Sequence, residues 1–345
     1  FISGIDYRYI SGTSRGENHS WVRVKVDGQW YNVDVTWDDQ ITYISYDYFL
    51  RQKFGQKCAK LPIDAGFTCP NRDGTRGVGG CIYCSARGSG DFCNKNQTIT
   101  EQLESSFTLM RQKWAGALGI AYFQAFTNTY APCDVLRSKY EEALRVPDVV
   151  GLDIATRADC LEQSTVEYLA ELAERTYLTV ELGLQTVHDR TAKIINRGHT
   201  FAEFLDGYTR LRKASPKINI AVHLINGLPN EDADMMLESA RKVASLRPDM
   251  VKLHQLYIVD GTRLCELYRA GEVDCLTLDE YTDILVGQLE LLPPETVIGR
   301  VTGDAPGDSL IAPLWSKKKL VVMNTLDQKL YERNTWQGRL QQRRL

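Results

Sequence analysis

No stretch of eighteen consecutive apolar residues occurs in the 345-residue chain. A helix that crosses a bilayer needs about twenty, so no membrane span is expected. Charge of one sign is missing as well: 41 Lys and Arg against 44 Asp and Glu leave a net of −3. Such a balance exerts no global pull toward nucleic acid or anionic lipid. No signal peptide opens the chain, and Phe1 rather than a methionine begins it in mid-pattern, as the N-terminus of a fragment would. Nine cysteines, an odd number scattered over a long chain, argue against a disulfide framework. They suit a reducing cytosol with a few metal-ligand thiols, and a cytoplasmic location is expected.

What is present suffices for a large core, with 43% hydrophobic and 25% charged residues. The length suggests two domains or one large domain with an appendage. One local charge excess exists: residues 316–345 hold eight Lys or Arg and two acids, a net of +6. A terminal basic helix is ordinarily a solvated face. As a partner signal it points to a polyanion such as RNA.

The stretch "ENHSWVRVKVDGQWYNVDVTWDD" (17–39) alternates strictly around Asp27-Gly28, a two-residue hairpin signal. With a simple turn there, Val26 faces Gln29, and Val22, Val24 and Val26 share a core face with Val33 and Val35. His19, Trp21, Asp34 and Thr36 take the other face. His19 then lies diagonal to Asp34, about 7 Å away, within reach of a His–carboxylate hydrogen bond. A His oriented by an Asp is half of a Cys-His-Asp nucleophilic site. Over residues 1–48 the chain resembles the transglutaminase-like family, which carries such a pair on adjacent strands. That family's nucleophilic Cys lies upstream of the pair, and Cys58 stands in the wrong chain order. The hairpin is therefore expected to be an inactive remnant.

From about Tyr46 the pattern changes. "YISYDYFLRQKFG" (43–55) reads as a continuous helix. After it, strand candidates at 58–66, 119–126, 149–157, 177–186, 218–227 and 250–259 alternate with helical stretches near 100–115, 133–146, 164–175, 188–214 and 231–246. Ser164 stands where a cap for the third helix belongs. Sixfold strand–helix alternation implies a parallel α/β sheet with right-handed crossovers, doubly wound or barrel-like. Either architecture collects reactive groups at the C-terminal strand ends. Polar residues stand there after nearly every strand: Asn128 and Thr129, Arg157, Glu181 with Gln185 and Thr186, His223 with Asn226, and His254 with Gln255.

The loop after the first of these strands, "FTCPNRDGTRGVGGCIYCS" (67–85), places Cys69, Cys81 and Cys84 in a C-x11-C-x2-C pattern. A disulfide conflicts with the odd count, and chance conflicts with a C-x-x-C pair in a glycine-rich loop. Structural zinc needs a fourth ligand, which Cys93 could supply. The remaining reading is a 4Fe–4S cluster on three thiolates, with one iron free to chelate the amine and carboxylate of S-adenosylmethionine. An electron from such a cluster can cleave the sulfonium bond to give a 5′-deoxyadenosyl radical. Glycines at 74, 77, 79 and 80 let the loop backbone close round the group. Tyr83 is suited to pack on adenine. Cys93, Cys133, Cys160, Cys265 and Cys275 read as small core residues. His199 and His254 read as structural or substrate-lining.

The segment 46–345 resembles the YhcC-type radical SAM proteins, relatives of the elongator catalytic subunit and of coproporphyrinogen-type radical SAM enzymes. The resemblance rests on the cysteine loop and on "YFQAFTNTYAP", "ELGLQT", "RGHT", "HLINGLPNE", "LHQLYIV" and "RVTGDAPGDSLIAPLWSKKK", in that order. It implies a partial TIM-type (β/α)6 barrel over residues 49–300, a basic C-terminal extension over 301–345, and a separate β-hairpin remnant over 1–48. It also implies Cys69, Cys81 and Cys84 as cluster ligands, with contacts to S-adenosylmethionine from Asn128, Thr129, Gln185 and Arg197. Tyr83 and Glu181 join this cofactor set. The coproporphyrinogen-type enzymes carry an Asp where His223 stands, so His223 faces either the cofactor or the substrate. A reductase of the flavodoxin or ferredoxin type is the implied electron donor. Because the elongator relative acts on transfer RNA, RNA modification is one expectation for the substrate. An iron–sulfur electron carrier or redox sensor without S-adenosylmethionine chemistry is the alternative.

Overall fold

The computed structural model of the chain describes residues 42–91, 93–304 and 307–341, together with the backbone of 7–14, 17–26 and 29–33. The latter form an antiparallel sheet of β1 (Tyr7–Ser14), β2 (Glu17–Val26) and β3 (Gln29–Val33). β2 and β3 pair in the expected register, with Val26 opposite Gln29 and Val22 opposite Val33. β1 adds a third strand to the expected hairpin, placing Tyr7 opposite Val24. Asp34 lies outside the described residues, and so does the His19–Asp34 contact expected of a transglutaminase-like site.

Ser45 caps α1 (Tyr46–Phe54) by accepting a hydrogen bond from the Tyr48 N–H, and Gly55, at φ 71°, ends it. The six expected strands follow as β4 (Cys58–Ile63), β5 (Leu118–Phe123), β6 (Val149–Thr156), β7 (Tyr177–Gln185), β8 (Asn219–Asn226) and β9 (Met250–Gln255). Between them run α2 (Ile99–Lys113), α3 (Cys133–Leu144), α4 (Gln163–Arg175), α5 (Asp189–Ile194) with α6 (Phe201–Ala214), and α7 (Ala233–Leu246). The chain continues through β10 (Ile258–Val259), α8 (Arg263–Arg269), α9 (Leu278–Leu291), β11 (Val297–Arg300), β12 (Leu310–Ala312) and α10 (Lys319–Glu332).

The main sheet runs β4-β5-β6-β7-β8-β9-β11, with every neighbouring pair parallel. It is a half-barrel of seven strands rather than six. The extra strand, "VIGR", is too short to show a period of its own. It becomes a strand because Val297 and Ile298 pair with Met250 and Val251 of β9. The strands' apolar residues, such as Ile63, Phe123, Ile154, Val180 and Val222, pack against the helices in one continuous core. Val322, Leu326 and Leu330 of α10 are fully buried in that same core, each worth about 1.5–3 kcal/mol of burial. α10 is thus part of the same packed core.

Three helix expectations change. The helix expected over 43–55 begins only at Tyr46, because Ser45 caps it in extended backbone and Ile44 O accepts from Ile298 N at 2.7 Å. The stretch 188–214 is broken between α5 and α6, where Asn196 (φ 52°) and Gly198 (φ 78°) take left-handed conformations. Thr200 then opens α6 with a capping box to Glu203. α4 begins at Gln163 with Glu162 at the N-cap, which leaves Ser164 inside the first turn and not at the cap.

Candidate functional site

At the C-terminal ends of the strands lies a cavity of about 240 Å³ whose walls include Cys69, Cys81 and Cys84. All three thiols are free and half-buried. Their loop is held by its own side chains. Arg72 donates to the carbonyls of Cys84 (3.3 Å), Ser85 (2.5 Å) and Ala86 (3.3 Å). Gly80 permits this, since a Cβ there would stand 2.8 Å from Arg72 Nε. Asn71 Nδ2 donates to the Asn196 carbonyl at 2.5 Å, and Asn196 Nδ2 returns bonds to Gly80 O (2.8 Å) and Val78 O (3.1 Å). The cysteine loop and the break between α5 and α6 therefore interlock.

Burial, followed by the neighbouring Cys81 thiolate, pushes the Cys84 thiol up to about 12, against the pull of Arg72. Burial raises Cys81 as well, while Tyr83 and Arg157 oppose it. Among the described residues, no three His, Cys, Asp or Glu side chains close on a single ion. Zinc would draw its ligands inward with Zn–S bonds of about 2.3 Å. Cys93 is buried away from the cavity wall, and its carbonyl accepts from Arg87. Three cysteines on one wall, with Cys93 off it, leave a structural zinc one protein ligand short.

Of the expected cofactor contacts, Tyr83, Glu181, Gln185, Arg197 and His223 line this cavity. Asn128 and Thr129 do not. Asn128 is fully buried and ties β5 to β6, donating to Phe123 O (2.9 Å) and Ala155 O (2.8 Å). Thr129 bonds Thr156 Oγ1 (2.5 Å) and Cys160 O (2.6 Å). The chain turns at Phe126 (φ 62°), so Phe126 and Thr127 face the cavity in their place. Thr186 and Asn226 also turn away, to Glu231 and Gln288.

Arg197 is 1% exposed. Its guanidinium donates to Leu184 O, to Thr186 O at 2.6 Å, and twice to His199 O at 2.9 and 2.8 Å. The carbonyls on both sides of Gln185 are thereby pinned. Gln185 itself sits at φ 62°, where β7 slips register against β8. A bulge with a non-glycine left-handed residue re-aims one side chain, here toward the cavity.

Lys60, Asp153, Lys252 and Tyr122 form a part of the site that the strand-end rule misses. Lys60 pairs with Asp153 and, at 2.5 Å, with Glu181; Lys252 also pairs with Glu181. His223 Nε2 lies 3.0 Å from Glu181 Oε2 without hydrogen-bond geometry. Burial pushes Glu181 up, but Lys252, Lys60 and His223 outweigh it and hold the carboxyl well below its usual range. Burial and the Glu181 charge raise Asp153. Burial lowers Lys252 despite Glu181. Both His223 and His254, whose rings stack 5.6 Å apart, are lowered, first by burial. The sequence signal was a charged residue in the middle of an apolar strand: "CAKLPI", "GLDIAT" and "MVKLHQ". Such residues are almost never buried unless paired. On the cavity wall Asp304 pairs with Arg300 (3.4 Å) and with Lys319, which follows exposed Lys317 and Lys318 in the chain.

A family model described as the radical SAM superfamily matches residues 69–243. The chain belongs to the radical SAM superfamily. A radical SAM C-terminal domain model matches residues 248–332. Both matches begin after the segment 1–48 and do not bear on its transglutaminase-like reading. This radical SAM chain is 48% identical over 302 residues to the uncharacterized protein YtqA of Bacillus subtilis, covering 87% of this chain and 93% of that one. It is 37% identical over 284 residues to Protein YhcC of Escherichia coli strain K12, covering 82% and 90%. A tRNA uridine(34) acetyltransferase of Methanocaldococcus jannaschii matches at 27% identity over 182 residues, which is 50% of this chain and 33% of that one. Among solved structures, the archaeal Elp3 of Methanocaldococcus infernus, with an N-terminal deletion, superposes with a TM-score of 0.59. That match covers 79% of this chain and 63% of that one at 16% identity, and it shows a shared fold. No described helix is long and apolar enough to cross a membrane.

Proposed function

We propose that Cys69, Cys81 and Cys84 hold a 4Fe–4S cluster, and that the protein reductively cleaves S-adenosylmethionine beside it. One observation carries this reading: the three free thiols of the C-x11-C-x2-C loop line the same cavity as Tyr83, Glu181 and Gln185. Bound there, a reduced cluster supplies the electron that breaks the sulfonium bond and yields a 5′-deoxyadenosyl radical. Tyr83, beside Cys81, offers a ring face to the adenine. Gln185, fixed by Arg197, presents an amide that can both donate and accept. Glu181, paired with Lys60 and Lys252, accepts from a ribose hydroxyl or an amine. His223 and His254 keep neutral polar edges toward the substrate. In this reading residues 49–300 are the catalytic core, 301–345 complete its wall, and a flavodoxin- or ferredoxin-type reductase delivers the electron.

Anaerobic reconstitution with iron and sulfide, followed by EPR of the reduced protein, tests the proposal. A 4Fe–4S signal that changes on adding S-adenosylmethionine, with 5′-deoxyadenosine formed, is the expected result. A signal indifferent to S-adenosylmethionine favours an electron carrier or sensor, and bound zinc without a cluster sinks the assignment.

RNA is the substrate class we propose. Lys319 pairs with Asp304, which lines the cavity, and Lys317 and Lys318, exposed like it, precede it in the chain. One relative is named a tRNA uridine(34) acetyltransferase. Neutralising the three lysines together is expected to weaken retention on transfer RNA and to flatten its salt dependence. Unchanged retention would rule the reading out.

A further inference from the structure

β11 slips by one residue against β9. Val297 pairs with Met250 and Ile298 with Val251, but Arg300 pairs with Lys252, which leaves Gly299 unpaired between them. Paired residues of neighbouring strands point to the same face, and successive residues alternate. Val251 and Ile298 pack in the main core against the helices, so Lys252 and Arg300 point the other way, into the half-barrel. Without the slip Arg300 would stand opposite Leu253 and point into that core. A bulge re-aims a side chain in this way. Gly299 is suited to the slipped position, since a Cβ there would stand 2.6 Å from Met250 Sδ and 2.9 Å from Lys252 Cγ.

The re-aimed Arg300 lies on the cavity wall with its side chain 34% exposed. The other guanidinium groups on that wall are taken. Arg72 donates to three carbonyls, and Arg157 to Asp159 and the Arg197 carbonyl. Arg197 donates to the carbonyls of Leu184, Thr186 and His199. Among the described residues Arg300 makes no hydrogen bond, and its ion pair with Asp304 is long, at 3.4 Å. Asp304 is shared with Lys319, and Lys252 is matched by Glu181. Gln255 keeps Asp304 beside Arg300 by accepting from Gly303 N at 2.8 Å. Where β9, β11 and the loop after β11 form the wall, one positive charge is thus left without a carboxylate of its own.

We propose that Arg300 binds an oxyanion of the substrate, a phosphate or a carboxylate, and so anchors the substrate on the β9–β11 side of the cavity. A guanidinium offers paired N–H donors whose spacing matches either group. The inference rests on the reading of this cavity as the substrate site. If the substrate is RNA, the anion is a backbone phosphate.

The test is protection from phenylglyoxal, which modifies accessible guanidinium groups, with mass spectrometry of the digested protein reading each arginine separately. The full chain is treated in chloride, acetate and inorganic phosphate at equal ionic strength. Arg300 is expected to react in chloride. Phosphate or acetate should then protect it at about one-tenth the concentration that protects Arg263 of α8, whose side chain is 63% exposed. Protection by phosphate at the lower concentration assigns a phosphate-bearing substrate. Protection by acetate at the lower concentration assigns a carboxylate-bearing one, which counts against RNA and leaves Arg300 its role. An Arg300 that does not react in chloride, or that is protected no better than Arg263, overturns the proposal. In reconstituted protein, Arg300→Gln is expected to keep S-adenosylmethionine affinity within about twofold. A larger loss also overturns the proposal, because the guanidinium would then hold the carboxylate of that ligand. Protein that takes up no cluster sinks the reading of the cysteines and not this one, since the protection needs no cluster.

Discussion

Glu181 accepts from Lys60 and Lys252 while fully enclosed, so its charge is the pivot of the interior network. Removing one member of a buried ion set leaves the others unpaired, and that is costly. Glu181→Gln should destabilise the protein by about 3–5 kcal/mol, measured by urea unfolding without cofactors. Adding Lys252→Met should recover part of that loss, because the two changes are coupled. Additive costs would mean that the pair is not a pair. At this scale the cysteines, Glu181 and Gln185 were legible, because their residue types stand out at strand ends. Asn128 and Thr129 were legible only as residues: which of two adjacent polar groups faces inward depends on the turn at Phe126, and no spacing reports that.

Among the elements, α6 shows how a local signal can be overlooked inside a longer pattern. "HTFAE" is a capping box, with the Thr200 N–H donating to Glu203 Oε2 at 2.7 Å and Glu203 also paired to Arg76 at 2.8 Å. The backbone N–H of Thr200, with Arg76 and the Thr200 hydroxyl, outweighs the opposing effect of burial and lowers the Glu203 carboxyl to about 2. Because the folded value lies below the unfolded one, this stabilisation is present above about pH 4.5 and fades as pH falls toward 2. Glu203→Gln is expected to lower Tm by about 1–2 °C at pH 6. The gap should narrow as pH falls from 5 to 3, followed by calorimetry of both proteins. A gap that stays constant with pH would show that the carboxylate charge contributes nothing. Sequence periodicity ran 188–214 together because apolar residues on both sides of the break keep helical spacing; the left-handed Asn196 and Gly198 are what separate them.

For the whole molecule, alternation of apolar runs with amphipathic stretches determined a parallel α/β sheet with its site at the C-terminal strand ends, since a strand buried on both faces and an amphipathic helix have few other ways to pack. The C-x11-C-x2-C loop determined where we propose a metal group, because thiols at that spacing in a glycine-rich loop have little other use. Tertiary structure alone decided that seven strands form the sheet, since β11 forms by pairing with β9 and by the bridge from Ile298 to Ser45. It decided that α10 closes the wall, because Val322, Leu326 and Leu330 find their burial against residues distant in the chain. It also decided the interior network, in which Lys60, Asp153, Glu181 and Lys252 come from four different strands. The physical reason is range: periodicity and turn chemistry act over a few residues, whereas charge pairing and strand pairing across the barrel depend on which distant segments the fold brings together.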